Sequence, residues 1–337
     1  MALTTRVVRF SSTGGPDVLR IVEQPMPAPA DGEVRLRVQA LGLNRAEAAF
    51  RAGQYLEAPQ LPARIGYEAA GIVDAVGPGV TTVRPGDAVC TLPGFSMSRY
   101  GVYAEHALVP AAHLIAQPEG FRPLDAAALW MAYLTAYGAL VDIGQLGAGD
   151  VVLVGAASSS VGLATIQLAR YLGAVPVALS RSPHKAAALC AHGAQAVLDP
   201  EAPQFAERIR ELSGGRGARL AFDPVAGPGV AILARTLGQG GTLVIYGNLS
   251  GQAEQTPFPF YDAVGRGLSM RGYLVFELIN DAARLARAQA CLQAALADGR
   301  LKPVIDRVFD FDDIVAAHRH LESNRQVGKI VVRVSDD

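Results

Sequence analysis

The hydrophobic pattern changes character once along this chain, near Leu124. Before it, apolar positions alternate in short runs. Val34, Leu36 and Val38 face one way and Arg35, Arg37 and Gln39 the other, the two-residue period of a half-buried strand. Ala70 to Val76 and Ala88 to Leu92 read as further short strands, set off by the turn signals Gly77-Pro78-Gly79 and Pro85-Gly86-Asp87. After it, DAAALWMAYLTAYGALVDI reads as a long helical stretch, and β-branched apolar runs follow at 151–155, 175–180, 196–199, 219–223, 242–247 and 269–275, with Ala-rich helices between most of them. Strands with little polar alternation, joined by helices, predict a parallel sheet covered on both faces. A helix at about 281–298 and strands near Pro303 to Phe309 and Lys329 to Val334 close the chain. Their composition leaves open which part they join.

Length and charge add bounds. At 337 residues and 50% hydrophobic the chain exceeds the size of one ordinary core, so two domains are expected. Thirty basic against thirty-one acidic residues argue against a nucleic-acid or anionic-membrane partner. Cys90, Cys190 and Cys291 are far apart and form no C-x-x-C pair, which suggests neither disulfides nor a thiolate zinc site. No apolar signal core opens the chain and no uninterrupted apolar run reaches the roughly 18 residues of a membrane span, so a cytoplasmic protein is expected.

The segment VVLVGAASSSVGLATIQLARYLGA, from Val151 to Ala174, carries the strongest chemical signal: an apolar strand, a turn of small residues and an amphipathic helix. A pyrophosphate needs this arrangement, because small side chains admit backbone N–H groups to it and the helix N-terminus carries partial positive charge. Ala157, Ser159 and Gly162 occupy the three positions of the usual G-x-G-x-x-G, with Ser158, Ser160 and Val161 around them. The serine hydroxyls either donate to phosphate or merely cap the helix. About twenty residues on, where an NAD site presents an acid to the ribose hydroxyls, stand Ser180 and Arg181, with Lys185 behind. Arg and Lys attract a 2′-phosphate that a carboxylate repels, so NADP(H) is favoured over NAD(H).

Seven segments in order then resemble one family: GLNRAEAAFRAGQY at 42–55, GYEAAGIVDAVGPGV at 66–80 with PGDAV at 85–89, LTAYGAL at 134–140, AASSSVGLATIQLA at 156–169, FDPVAG at 222–227, GGTLVIYG at 240–247 and HLESNRQVGKIVV at 320–332. From end to end the chain resembles the medium-chain dehydrogenase/reductase superfamily, within it the zinc-independent quinone oxidoreductase-like branch. The resemblance implies an α/β fold: a Rossmann doubly wound parallel sheet at 128–276 and a GroES-like, mainly β domain built from 1–127 and 277–337, with nicotinamide and substrate in the cleft between them. It also implies a homodimer formed by edge pairing near Ser269 to Val275.

Zinc-dependent relatives place ligands at positions matched here by Asn44, Tyr67 and Met131, none a usual zinc donor, and the four-cysteine lobe for structural zinc is absent. No metal is expected. Without one, an already electrophilic enone or quinone is a better acceptor than a simple carbonyl. The resemblance sets Asn44 near the nicotinamide ribose and substrate, against the plain alternative of a turn-forming Asn. Tyr55, Tyr67 and Tyr133 are candidates for the pocket wall or for donating a proton to the acceptor oxygen. Thr135 matches a nicotinamide contact, and Val225, Tyr246 and Gly247 sit with Asp223 at the carboxyl ends of strands, where open α/β sheets bind ligands. Asn324 belongs to a tail motif that returns towards the cofactor in relatives, whereas Lys329 reads as a surface charge. The expected function is NADPH-dependent reduction of a small-molecule electron acceptor. The competing readings are an alcohol dehydrogenase with unrecognised zinc ligands and a non-catalytic NADPH-binding sensor or structural protein.

Overall fold

A computed structural model describes residues 3–335, which divide into two compact units. The first holds the chain up to Met131 together with the tail from Pro303. The second runs from Ala132 to Lys302.

In the first unit, β1 (Thr4–Arg9) and β2 (Arg20–Pro25) form an antiparallel ribbon. A larger sheet has the order β14 (Ile305–Asp310), β15 (Lys329–Arg333), β3 (Glu33–Gly42), β4 (Glu68–Val76), β5 (Ala88–Thr91), β7 (Leu114–Ala116), with β6 (His106–Pro110) also pairing with β3. Val34, Leu36 and Val38 are buried while Arg35, Arg37 and Gln39 are half-exposed, so the alternation read from the sequence marks the core face of β3. The tail matters for position: β15 runs antiparallel to β3 with Val331 opposite Gly42 and Arg333 opposite Ala40.

The second unit carries six parallel strands in the order β10 (Ala196–Leu198), β9 (Val175–Leu179), β8 (Val151–Val154), β11 (Ala218–Asp223), β12 (Leu237–Ile245), β13 (Ser269–Gly272). All four residues of β8 are buried, as a strand covered on both faces requires. The strand order reverses between β8 and β11, and in such sheets the crevice at the carboxyl ends of those two strands is the ligand position.

The unit boundaries differ from the sequence expectation of 127/128 and 276/277. Residues 277–302, including the helix Ala282–Ala297, pack with the parallel sheet: Arg284 on that helix pairs with Asp142 at 2.8 Å and donates to the Glu277 carbonyl at 3.2 Å. The segment Pro123–Ile143 is long and apolar enough to cross a membrane, but it is mostly buried inside the protein, as a core helix is.

Candidate active site

In the second unit the loop after β8 turns through Ala156 at φ +43, a left-handed conformation that a β-carbon disfavours. The helix Ser160–Tyr171 starts from it. Ser159 caps that helix, its Oγ accepting from the Gly162 N–H at 3.0 Å. Gly162 has no alternative: a β-carbon there would lie 2.5 Å from the Ala157 carbonyl oxygen and 2.7 Å from that of Ala156. The three serines therefore divide their roles. Ser159 closes the helix end, Ser160 is its first residue, and Ser158 Oγ accepts from Lys185 Nζ at 2.8 Å.

The end of β9 supplies the rest of this corner. Ser180 Oγ accepts from Ser182 N and donates to the Ser182 carbonyl, both at 3.2 Å, which tightens the turn and leaves Arg181 exposed. No carboxylate stands at 179–185. Across the switch point, buried Asp223 accepts from Ala226 N at 2.8 Å, and burial raises its pKa against the pull of that bond. Val225 is exposed beside it. Tyr246 stacks on Phe222 at 4.0 Å and hydrogen-bonds to the Ser159 side chain, and Gly247 passes close to the Pro224 carbonyl. Val161 and Thr165 lie one turn apart, Thr165 Oγ1 donating to the Val161 carbonyl at 2.7 Å. Thr135 is buried in the helix Trp130–Tyr137.

Tyr133, a candidate for the pocket wall or for proton donation, is held within the second unit. It is buried, and its hydroxyl donates to Gln167 Oε1 at 2.8 Å, an oxygen that also accepts from Lys302 N at 2.9 Å. Its proton is committed inside the second unit. Asn324 lies in the first unit at φ +59, and its side-chain oxygen accepts a bond from Arg45.

The first unit builds a buried charged cluster around Asn44. This residue precedes the helix Arg45–Arg51 in an extended conformation and forms a capping box with Glu47, Asn44 N donating to Glu47 Oε2 at 2.8 Å. Asn44 Nδ2 lies 3.2 Å from the Gly42 carbonyl and 3.3 Å from both Glu47 Oε1 and Glu68 Oε2. Its Oδ1 accepts from Lys329 Nζ at 2.6 Å, and the same ammonium reaches Glu68 Oε2 at 2.5 Å. Glu68 Oε1 takes Met131 N at 3.0 Å and Glu47 Oε1 takes Tyr67 N at 3.2 Å. Lys329, only 1% exposed, is thus no surface charge. Gly42 makes room for it: a β-carbon there would stand 2.8 Å from Lys329 Cε, 2.9 Å from Glu68 Oε2 and 1.9 Å from the Ala127 carbonyl oxygen. Burial pushes the Glu47 carboxyl up to about 7, against the pull of Lys329 and of the N–H groups it accepts.

Asn44 and Glu68 already hold an ammonium, Tyr67 is a phenol in an aromatic stack, and Met131 meets Glu68 through its backbone N–H. Among the described residues no three His, Cys, Asp or Glu side chains converge on a point that could hold a metal ion.

Comparison with known proteins settles the family. Residues 30–119 match the alcohol dehydrogenase GroES-like domain and residues 160–290 the family called zinc-binding dehydrogenase. The chain is 30% identical to human quinone oxidoreductase, over 97% of each chain. It belongs to the medium-chain dehydrogenase/reductase superfamily, in the quinone oxidoreductase-like branch. This reductase-family chain is also 32% identical to the rat synaptic vesicle membrane protein VAT-1 homolog, over 97% of its own length and 83% of the relative's. Among solved structures, Escherichia coli quinone oxidoreductase in complex with NADPH superposes with a TM-score of 0.89 at 28% identity, covering 98% of this chain and all of that one. An NAD-dependent alcohol dehydrogenase superposes at 0.87 with 32% identity and the same coverage. Membership makes this chain an oxidoreductase with a Rossmann unit and a GroES-like unit.

Proposed function

We propose that this oxidoreductase uses NADP(H), without zinc, to reduce quinones or α,β-unsaturated carbonyl compounds. The observation that carries the reading is the Lys329 ammonium seated on Asn44 Oδ1 and Glu68 Oε2: the matched position holds a resident cation, and a metal dication there would meet its repulsion. The cofactor choice rests on the corner between the β8 loop and the end of β9. Gly162 lets the helix start pack directly on the Ala156 and Ala157 carbonyls of the small-residue turn, Lys185 reaches Ser158 beside it, and Arg181 is exposed where a carboxylate would favour NAD. These residues fit NADP(H), which supplies the hydride when bound. Ser158, Lys185, Ser180 and Arg181 hold its 2′-phosphate end, Ser160, Val161 and Gly162 present the helix N-terminus to the pyrophosphate, and Tyr246 with Gly247 walls the crevice beside Val225.

An acceptor with its own electron-poor carbon needs only a donor at its oxygen, where negative charge develops during reduction. The first unit offers Tyr55 and Tyr67 for that task. A screen of quinones, enones, enals and simple aldehydes, following NADPH absorbance, tests the reading. Turnover with quinones or enones that survives dialysis against a chelator is the expected result. Stoichiometric zinc whose removal abolishes activity, or NADPH binding without turnover on any acceptor, overturns it.

A homodimer is part of the same proposal. β13 is a sheet edge whose four residues are exposed, and the segment before it exposes Phe258, Phe260, Tyr261 and Val264. An open edge beside an apolar patch favours pairing with a second copy. Light scattering should give twice the mass of one chain, and a single-chain mass at micromolar concentration would count against it.

A further inference from the structure

The chain passes between its two units twice, from Met131 to Ala132 and from Lys302 to Pro303. One side chain of the second unit holds both places. Gln167 stands half-buried in the helix Ser160–Tyr171, about two turns beyond Ser160. Its Oε1 accepts from the hydroxyl of Tyr133, just past the first crossing, at 2.8 Å, and from Lys302 N, at the second, at 2.9 Å. Its Nε2 donates to the Lys302 carbonyl at 3.1 Å. The amide thus takes both backbone groups of Lys302, which lies in no helix or strand and precedes Pro303, a residue without an N–H. Such a hold needs an acceptor and a donor side by side, which an amide has and a carboxylate lacks.

We propose that Gln167 is a positioning residue that couples NADP(H) at the start of its helix to both crossings, so that the bound cofactor stiffens them. This rests on the cofactor reading above. An anion at a helix start satisfies N–H groups that the helix itself cannot, and it damps fraying of the first turns. Gly162, Leu163, Ile166 and Leu168 are buried, so the helix behaves as one packed element. When its start is quieter, bonds made from its middle open less often. Gln167 passes this to Lys302 directly, and to the helix Trp130–Tyr137 through the Tyr133 hydroxyl. Coupling of this kind is reciprocal: the intact clamp tightens cofactor binding by the factor by which the cofactor slows its opening.

The sequence contains three lysines, Lys185, Lys302 and Lys329, so protein made with isotope-labelled lysine gives one backbone amide signal for each, and Lys302→Arg identifies that of Lys302. Saturating NADPH should slow hydrogen exchange of the Lys302 amide about tenfold, and should also slow exchange in the peptide 130–137. Gln167→Leu should abolish both responses and weaken NADPH binding by up to about the same tenfold. Tyr133→Phe, which deletes only the bond to Gln167, should abolish the response at 130–137 and leave that of Lys302. A residue that merely props the fold would change basal exchange but not its dependence on NADPH. Lys302 exchange that ignores bound NADPH in the unmutated chain, or that still responds in Gln167→Leu, overturns the clamp. A response at 130–137 that survives Tyr133→Phe overturns the arm through Tyr133. Should Gln167→Leu fail to fold, Gln167→Glu keeps the shape and the acceptor but loses the donor to the Lys302 carbonyl. It should at least halve the Lys302 response, and a full response in it counts against the clamp. Calorimetry showing no NADPH binding by the unmutated chain would instead refute the cofactor reading.

Discussion

Replacing Lys329 with methionine removes the cation of a fully buried pair while roughly preserving side-chain volume. Glu68 is then left as a buried carboxylate with only Met131 N at 3.0 Å and Asn44 Nδ2 at 3.3 Å, and Asn44 Oδ1 loses its 2.6 Å donor. Breaking a buried pair from one side costs about 3–5 kcal/mol, because the remaining charge keeps its desolvation penalty without its partner. For a unit of this size each kcal/mol corresponds to roughly 2–4 °C, so the first unit should melt on the order of 10 °C earlier. The protein carries its own reporter: Trp130, the single tryptophan, is completely buried next to the Met131 that Glu68 holds. Its fluorescence follows the unit in which the pair sits, which avoids treating a two-unit chain as one transition. Combining Lys329→Met with Glu68→Gln should recover at least half of the loss, since the amide that replaces the carboxylate is neutral and can donate to Asn44 Oδ1. A loss below about 1 kcal/mol in the single variant, or a double variant no better than the single, would refute the account.

Two further predictions concern the cofactor corner and acid stability. NADPH should bind more tightly than NADH, and Arg181→Asp should narrow or reverse the difference by about tenfold or more, each tenfold being about 1.4 kcal/mol; equal affinities in the unmutated protein would remove the basis for the cofactor choice. His318, completely buried with Nδ1 2.8 Å from Arg51, is held neutral by burial first and by that guanidinium second, its pKa lowered from 6.5 to about 3. Its contribution to stability is complete above pH 6.5 and is lost as the pH falls towards 3, roughly 3 kcal/mol by pH 4.5. Glu47 runs the other way: raised to about 7, it contributes fully below pH 4.5, and that stability is lost as the pH rises through 7. Urea midpoints of Trp130 fluorescence between about pH 4 and 8 should therefore show an acid limb that flattens in His318→Leu. They should also show an opposing limb that flattens in Glu47→Gln. An acid limb that survives His318→Leu intact would contradict the histidine assignment.

Much of this protein follows from local sequence. The two-residue alternation at Val34, Leu36 and Val38, the continuous apolar run at Val151 to Val154 and the small-residue turn before Ser160 each declare their element, because helix and strand periods, capping and close backbone approach are set within a few residues. The basic residues at Arg181 and Lys185 are readable in the same way, at a known distance from the loop. Tertiary structure alone decided what the polar side chains do. Lys329 opens a strand close to solvent-exposed Asn324 and Arg325 and reads as surface; only the pairing of β15 with β3, bringing Val331 opposite Gly42, carries its ammonium to Glu68 and Asn44. Tyr133, Tyr67 and Tyr55 looked equivalent until packing gave the first to Gln167 and set the other two against each other. The helix Ala282–Ala297 was legible as a helix, but not as part of the Rossmann unit. The physical reason is the same in each case. Backbone form is fixed by near neighbours, whereas the ionisation, donor direction and burial of a side chain depend on groups that the chain brings together from distant parts of its length.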